Sequence, residues 1–246
     1  MQHAETDAAV CGADGCGPAA TAKLPAAGLG TRIDIVSDAI CPWCFIGKRH
    51  LEAALRALGA AGIGFSVHWN PFQLNPDMPP GGVERASYRA AKFGSAERSA
   101  AIDARVSGAA EQAGLEFRLD RIQRTPNTID AHRLIARAGA LGVQDAAMEA
   151  VFSAYFLEGR DIGDHAVLAD CAAQAGMDRQ ATATYLAGPE NEAEMRAADR
   201  AAREAGVSGV PSFFLDGYFL FSGAMPAEQI AEALRRGRET LIRQAA

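Results

Sequence analysis

The sequence predicts an α/β fold in which a βαβ unit opens the chain, a ββα unit closes it, and a large all-helical insertion lies between them. An apolar run at 33–36 precedes an amphipathic helical pattern, and a second, alternating run follows at 63–72. Residues 84–205 show helical periodicity and no convincing strand beyond a short extended piece at 115–119. Near the end, Asp216-Gly217 between two apolar runs is typical of a β-hairpin.

The first unit predicts a strand, a turn and a helix in succession. The motif Cys41-Pro42-Trp43-Cys44 falls where the strand gives way to the helix. Pro42 fits the first helical turn, where its missing N–H and fixed φ carry no penalty. We therefore expect Cys41 at the helix N-terminus and Cys44 one turn further along. The strand at 63–72 completes a βαβ unit, whose two strands should be parallel.

A cysteine at a helix N-terminus is expected to be reactive. Unpaired N–H groups and the positive end of the helix dipole favour a negative charge there, so the Cys41 thiolate should be stabilised. An ordinary thiol of pKa about 8.5 is only about 3% thiolate at pH 7, whereas thiols in such positions reach pKa values of roughly 3.5 to 7.5. Cys44 is placed to attack a mixed disulfide formed at Cys41. The pair predicts a two-thiol redox centre, with Cys41 as nucleophile and Cys44 as resolving cysteine.

Two other readings of the pair are a zinc half-site and an inert structural pair. Zinc normally needs four ligands, and the others would have to come from Cys11 and Cys16. The bulky Pro42 and Trp43 inside the pair are not typical of the glycine-bearing knuckle of zinc sites. We therefore favour the redox centre and expect no metal.

Length and charge narrow the class of protein. The chain has 246 residues, long enough to bury a core without disulfide cross-links. Its net charge is −6, and positive and negative residues are mixed along the sequence. This pattern indicates neither a surface that binds nucleic acid nor one that binds anionic membranes. The first residues are acidic, no signal-like apolar segment follows, and no run of about 18 apolar residues occurs. We expect a cytoplasmic protein, in whose reducing surroundings a cysteine pair is catalytic or metal-binding rather than structural.

Residues 1–30 are rich in Ala and Gly without periodicity, which predicts a flexible N-terminal tail. This tail contains Cys11 and Cys16. They are either incidental thiols or an auxiliary pair that reaches the main centre through the tail.

The insertion is predicted to be a set of separate helices. Its lone cysteine, Cys171, lies on an apolar stripe and is expected to be a small core residue. His132 and His165 are expected to be satisfied or exposed helix residues rather than catalysts. His50, in the first helix, is expected to be exposed and uninvolved. The predicted helical segments are 84–93, 96–113, 127–140, 144–157, 165–175 and 190–205.

The closing unit predicts two strands and a helix at 227–243. Pro211 stands just before the first of these strands. A proline there is either an ordinary trans residue or a cis residue that leaves the backbone of Val210 unpaired and exposed.

Two motifs together resemble the DsbA family of the thioredoxin fold, and its FrnE-like cytoplasmic branch in particular. They are SDAICPWCFIGK at 37–48 and GVSGVP at 206–211. The resemblance covers about residues 31–243. It implies a thioredoxin-like domain formed by 31–83 and 206–246, interrupted by a helical insertion domain at 84–205.

The resemblance also implies roles for individual residues. Cys41 matches the family's exposed nucleophile, Cys44 its resolving cysteine, and Pro211 the cis-proline that faces them. Val210 matches the residue whose backbone pairs with an extended substrate polypeptide. Pro42 and Trp43 would adjoin the same substrate site. The family exchanges disulfides with protein or peptide thiols and holds no cofactor, although a thiol partner such as glutathione is possible.

Two alternatives of other classes stay open. The same fold serves glutathione-dependent 2-hydroxychromene-2-carboxylate isomerases and kappa-class transferases, but these typically carry serine where Cys41 stands. Both cysteines are present here, which favours dithiol chemistry. A chaperone or binding protein on the same scaffold is the other alternative. The acidic Asp38 would oppose a thiolate if its side chain pointed towards the sulfur. The sequence does not define the substrate, the redox direction or the oligomeric state.

Overall fold

The computed structural model describes residues 30–246. Six strands occur within this range: β1 (Arg32–Ser37), β2 (Ser66–Pro71), β3 (Val83–Glu84), β4 (Arg124–Thr125), β5 (Ser212–Leu215) and β6 (Tyr218–Ser222). The helices are α1 (Pro42–Ala60), α2 (Arg85–Phe93), α3 (Ala96–Gln112), α4 (Ile129–Ala140), α5 (Gln144–Phe152), α6 (His165–Gln174), α7 (Arg179–Ala187), α8 (Glu192–Glu204) and α9 (Ala227–Ala245). A 3₁₀ turn at Leu119–Arg121 and a π-helical turn at Ser153–Leu157 complete the regular structure.

The main sheet joins the two ends of the chain. Its strand order is β2-β1-β5-β6, so β1 lies between β2 and β5, the first strand of the closing unit. β1 runs parallel to β2 and antiparallel to β5, which confirms the predicted βαβ and ββα units. Ile35 of β1 lies opposite both Trp69 and Phe213. The carboxyl end of β1 leads directly to the cysteine motif.

The predicted hairpin is present between β5 and β6. Asp216 and Gly217 have φ values of 47° and 82°, as the two central residues of a type I′ turn require. The buried Asp216 carboxylate accepts hydrogen bonds from the Arg32 N–H at 2.9 Å and the Thr31 N–H at 3.3 Å. The turn therefore also fixes the start of β1.

The helices predicted in the insertion are confirmed, but three features differ from the prediction. Helix α7 was not predicted, although Asp178 caps it by accepting from the Ala181 N–H at 2.6 Å. The prediction of an extended piece at 115–119 is wrong. The Arg118 N–H donates to the Phe156 carbonyl at 2.7 Å, and a 3₁₀ turn follows. β3 and β4 form a short antiparallel ribbon. The residue pattern did not reveal it, because each strand has only two residues.

A phenylalanine cluster connects α1 with the insertion. Phe45 of α1 stacks on Phe152 with ring centroids 4.9 Å apart, and Phe117 stacks on Phe156 at 4.8 Å. All four rings are at least nine-tenths buried. The sheet and the helical insertion therefore share one continuous core.

Gln144 closes the outer edge of β2. Its side-chain oxygen accepts from the Trp69 N–H and its NH₂ group donates to the Trp69 carbonyl, both at 3.0 Å. An amide side chain thus pairs with both outward-facing backbone groups of Trp69, as a neighbouring strand would.

None of the helices within residues 30–246 is both long and apolar enough to cross a lipid bilayer. Cys11 and Cys16 lie outside the described residues, as does the tail predicted around them.

Candidate active site

Cys41 occupies the N-cap position of α1, as predicted. Its backbone is extended, with φ −89° and ψ 113°, and Pro42 follows in the first helical turn. A turn fixes its position, because the Cys41 N–H donates to the Asp38 carbonyl at 3.0 Å. The thiol donates to the Val210 carbonyl at 3.5 Å, and the residue is only 4% exposed. The family resemblance implied an exposed nucleophile, and this expectation is wrong. The Cys41 thiol faces the segment 206–211 before β5, the Val210 loop, instead of open solvent.

Cys44 lies directly behind Cys41. Its N–H donates to the Cys41 carbonyl at 3.0 Å, and its side chain is fully buried. Burial first, and then hydrogen bonding and repulsion from Cys41, raise the pKa of Cys44 well above its usual value. The Ser37 hydroxyl and the Asp38 backbone lower that pKa and oppose the effect. Cys44 is thus a protonated thiol at neutral pH, and both cysteines are free in this structure.

The loop before β5 forms the wall opposite Cys41. The Val210–Pro211 peptide bond is cis. The Ser212 hydroxyl donates to the Gly209 carbonyl at 2.8 Å, and the Gly223 N–H donates to the Pro211 carbonyl at 2.8 Å. Within residues 30–246 the Val210 N–H makes no hydrogen bond.

The expected exposure of Val210 is wrong, since the residue is only 3% exposed. The reason is that Val210 lines a cleft instead of the outer surface.

Gly47 lets α1 approach the Val210 loop closely. A Cβ atom at this position would lie 3.2 Å from Cγ of Pro211, 3.6 Å from the Phe213 ring and 3.7 Å from Cα of Ala224. A larger residue here would require either Pro211 or the helix that carries both cysteines to shift by a few tenths of an ångström.

A cleft of about 190 Å³ opens beside Cys41. Pro42 and Trp43, which the family resemblance implies adjoin the substrate site, are half-buried in the wall of this cleft. Its remaining walls come from α2, α3, the 3₁₀ turn, the π-helical turn and the loop that ends at Val210. Sequence reasoning missed the contribution of the insertion, because no local motif marks residues that only the fold brings to Cys41.

Asp38 is fully buried close to the cysteine motif. One carboxylate oxygen accepts from the Leu74 N–H at 2.7 Å, and the other lies 3.3 Å from Nε2 of His132. The same Nε2 is 3.1 Å from the Phe72 carbonyl. His132 is thus a buried, satisfied histidine, in line with its prediction, and it faces Asp38 from α4.

Lys48 anchors the active-site helix to the insertion. Its side chain is 3% exposed and lies 3.0 Å from both Asp145 and Glu149, with Glu52 as a third partner. Burial alone would lower the pKa of Lys48, but attraction to these carboxylates outweighs it and raises the pKa. Asp145 also accepts from the Trp69 indole at 3.0 Å. This network connects α1, β2 and α5 just beyond Cys44.

The remaining candidates lie apart from the cleft. Cys171 is fully buried, and burial raises its pKa to about 12, which confirms it as a core residue. His165 pairs with Asp130 at 2.8 Å. His50 is half-buried and its Nδ1 lies 2.8 Å from the Met225 carbonyl, so its predicted exposure is wrong. Within residues 30–246, no group of three or more His, Cys, Asp or Glu side chains is arranged to hold a metal ion.

Comparison with known proteins agrees with this geometry. The family model of the DSBA-like thioredoxin domain matches residues 32–235. The chain belongs to the DSBA-like family. The matched range includes both cysteines, the insertion and the Val210 loop, and it confirms the resemblance to the DsbA family that the two motifs indicated.

Individual relatives extend the comparison. A probable DsbA oxidoreductase from Streptomyces coelicolor is 34% identical, with a TM-score of 0.76 over 84% of this chain and 89% of that one. An uncharacterized Bacillus subtilis protein, YwbO, is 26% identical over 74% of this chain and 86% of its own length. The cytosolic disulfide reductase DsbM from Pseudomonas aeruginosa, solved with glutathione, shares the fold at 20% identity, with a TM-score of 0.57 over 87% of this chain and 98% of that one.

Proposed function

We propose that this member of the DSBA-like family is a thiol-disulfide oxidoreductase that uses Cys41 and Cys44 for dithiol exchange. The observation that carries the proposal is the position of the Cys41 thiol at the head of α1, 3.5 Å from the Val210 carbonyl and backed by a buried second thiol. A helix N-terminus favours the thiolate that disulfide exchange requires.

The chemistry proceeds in two displacements. The Cys41 thiolate attacks one sulfur of a substrate disulfide, that S–S bond breaks, and the departing sulfur takes up a proton. Cys44 then loses its proton and attacks the Cys41 sulfur, which releases the second substrate thiol and leaves a Cys41–Cys44 disulfide. A small thiol or dithiol reductant restores the pair, and the reverse sequence oxidises a substrate dithiol.

The unpaired Val210 N–H supports protein or peptide substrates. An extended polypeptide could pair with this backbone next to the attacking sulfur, as in strand addition. We further propose that the reaction takes place in the cytoplasm and runs without a bound cofactor.

Cysteine substitutions test the proposal. Cys41→Ser should abolish the reduction of insulin disulfides, because it removes the attacking sulfur. Cys44→Ser should trap mixed disulfides that a non-reducing gel resolves, because the resolving sulfur is missing. Cys171→Ala serves as the matched control, since its thiol is buried elsewhere in the core and activity should be kept. Full insulin reduction by the Cys41→Ser variant would refute the proposed function.

Glutathione is a natural reductant to test, since the DsbM structure contains it. A glutathione-dependent isomerase or transferase, the alternative from sequence, would retain turnover after Cys44→Ser. A chaperone would suppress aggregation equally well with both cysteines replaced. The presence of a free thiol at both positions supports the dithiol reaction over these two.

A further inference from the structure

The insertion brings three cations to the cleft beside Cys41. We propose that they select a small disulfide with an apolar body and an anionic group as the preferred substrate. This inference rests on the proposed function and specifies the substrate class of the same site. It assigns to α2 a binding role that neither the cysteine motif nor the Val210 loop provides.

The cations share one face of α2. Arg85, Arg89 and Lys92 all line the cleft, and their spacing of four and three residues places them one above another along the helix. Among the lining residues that the structure describes, Asp103 of α3 is the one acidic side chain. The wall of the cleft therefore carries an excess of two positive charges.

Asp103 does not balance the two guanidinium groups. It lies 2.9 Å from Nη2 of Arg85 and 2.5 Å from Nη2 of Arg89, so one carboxylate is shared between two cations. The two arginine side chains are only 14% and 17% exposed. Burial, more than any other factor, lowers the pKa of Arg89. Attraction to Asp103 raises that pKa and the positive charge of Arg85 lowers it, so the net shift remains downward. A second anion in the cleft would relieve this repulsion.

Lys92 has polar but uncharged partners. Its ammonium group donates to the Asn75 side chain at 3.2 Å and to the Tyr88 hydroxyl at 3.0 Å. Neither partner neutralises its charge, and the side chain stands at the exposed side of α2. Lys92 is therefore available to an anionic group that enters the cleft.

Much of the remaining wall of the cleft is apolar. Side chains from several elements form this surface, namely Ile40, Trp43, Ile102, Val106, Leu119 and Ile122. Apolar walls with a few convergent polar groups are typical of small-molecule sites. Since Cys41 and Val210 line the same cleft, a ligand whose anionic group meets α2 would have its disulfide near the attacking thiol.

Two aromatic disulfides that differ in charge test the proposal. 5,5′-Dithiobis(2-nitrobenzoate) carries two carboxylates, whereas 4,4′-dithiodipyridine is uncharged at neutral pH. The rate constant for release of the aromatic thiol would be measured for each, with the reduced protein and with 2-mercaptoethanol as a reference. The protein should favour the anionic disulfide by a larger ratio than the reference thiol does, because only the protein presents the α2 cations.

Charge-removing variants complete the experiment. Lys92→Gln and Arg89→Gln should each lower the rate constant with the anionic disulfide about fivefold and leave that with dithiodipyridine almost unchanged. Using the ratio of the two rates cancels any change in the reactivity of Cys41 itself. Arg56→Gln is the matched control, since it removes the same charge from an exposed position of α1 outside the cleft. Because Lys92 is exposed, its variant keeps the test valid even if Arg89→Gln fails to fold.

The outcomes separate the two proposals. Equal ratios for the protein and 2-mercaptoethanol, or equal effects of Lys92→Gln and Arg56→Gln, would overturn the anionic-substrate inference while dithiol exchange stands. Loss of insulin reduction in Lys92→Gln with the anionic disulfide unaffected would also overturn it, in favour of a polypeptide in the cleft. If Cys41→Ser reacted with each disulfide as fast as wild type does, the proposed function would be contradicted instead.

Discussion

At the scale of single residues, the two active-site thiols have different environments. Cys41 faces the cleft and the Val210 carbonyl, whereas Cys44 is fully buried and its pKa is raised by that burial. Attack on a mixed disulfide requires the Cys44 thiolate, so the resolution step depends on groups that stabilise it. Ser37 is such a group: its fully buried hydroxyl has no hydrogen-bond partner within residues 30–246, so it is free to donate to a Cys44 thiolate, and it lowers the pKa of Cys44.

Ser37→Ala should therefore slow resolution and spare the first attack. The hydrogen bond that this hydroxyl would donate to the thiolate is worth about 1 kcal/mol, so its loss should lengthen the lifetime of the mixed disulfide about fivefold. Mass spectrometry of acid-quenched reactions would follow that lifetime. Ser66→Ala, at an exposed position of β2, is the control. An unchanged lifetime in Ser37→Ala would remove this residue from the mechanism.

The same burial predicts how resolution depends on pH. Because the pKa of Cys44 is raised, the thiolate fraction should keep increasing with pH well above neutrality. The decay rate of the mixed disulfide should then rise by about tenfold per pH unit from pH 7 to 9. A rate that levels off near pH 7 would mean that another group removes the proton from Cys44.

Cys171 provides a stability prediction with a defined pH range. Its pKa rises from a usual 9.0 to about 12 in the folded protein. Above pH 9 the unfolded chain loses a proton that the folded protein keeps, so this thiol's stabilising effect is complete below pH 9 and falls as the pH rises towards 12. The stability advantage of wild type over Cys171→Ala should shrink by up to about 1.4 kcal/mol per pH unit in that range. Urea unfolding under reducing conditions measures it, and a constant difference would contradict the assignment.

At the scale of secondary-structure elements, α1 determines where the chemistry happens. Its first turn carries both cysteines, Gly47 brings it against Pro211, and Lys48 joins it to α5. Helix α1 and the Val210 loop come from opposite ends of the sequence. Their close contact is what sets the 3.5 Å approach of the Cys41 thiol to the Val210 carbonyl.

Two glycines in α1 offer a matched pair of variants. Gly59→Ala has no atom within 4 Å of the added methyl group, so it should stabilise the protein by up to about 1 kcal/mol through helix propensity. Gly47→Ala places the methyl group 3.2 Å from Pro211, so it should lose that gain and slow insulin reduction. Urea midpoints and insulin assays measure both effects. Equal stabilisation by the two variants would show that the loop yields freely.

At the scale of the whole molecule, the sheet and the insertion share their core. The stacked pair Phe45 and Phe152 and the adjoining Phe117 and Phe156 lie across the boundary between them. The cleft is bordered by the same two parts, so its shape depends on this packing. We expect them to unfold together.

Phe152→Ala should destabilise the protein by about 3–5 kcal/mol, because it removes a fully buried ring and leaves a cavity. Unfolding followed by far-ultraviolet circular dichroism and by fluorescence of Trp43 and Trp69 should give one coincident transition. Leu141→Ala, at a residue that is 59% exposed, should change stability by less than about 0.5 kcal/mol. Separate transitions for the two signals would show that the insertion unfolds independently.

Several elements of the fold were predictable from local residue patterns alone. The alternation of β2, the cysteine motif at the start of α1 and the Asp216-Gly217 turn each depend on neighbours in the chain, and all three are present as predicted. Helix α7 carried a local signal too, in its Asp178 cap. The two-residue strands β3 and β4 were too short for any periodicity to reveal.

The environment of the thiols, by contrast, arises only when the chain is folded. The burial of Cys41 and Val210, the contact of Asp38 with Leu74 and His132, and the cations of α2 beside the cleft all join residues far apart in sequence. The physical reason is that burial and electrostatic interactions depend on distances in space, whereas residue patterns record only spacing along the chain. The motif therefore identified the reacting sulfurs, and the fold supplied the cleft in which they would meet a substrate.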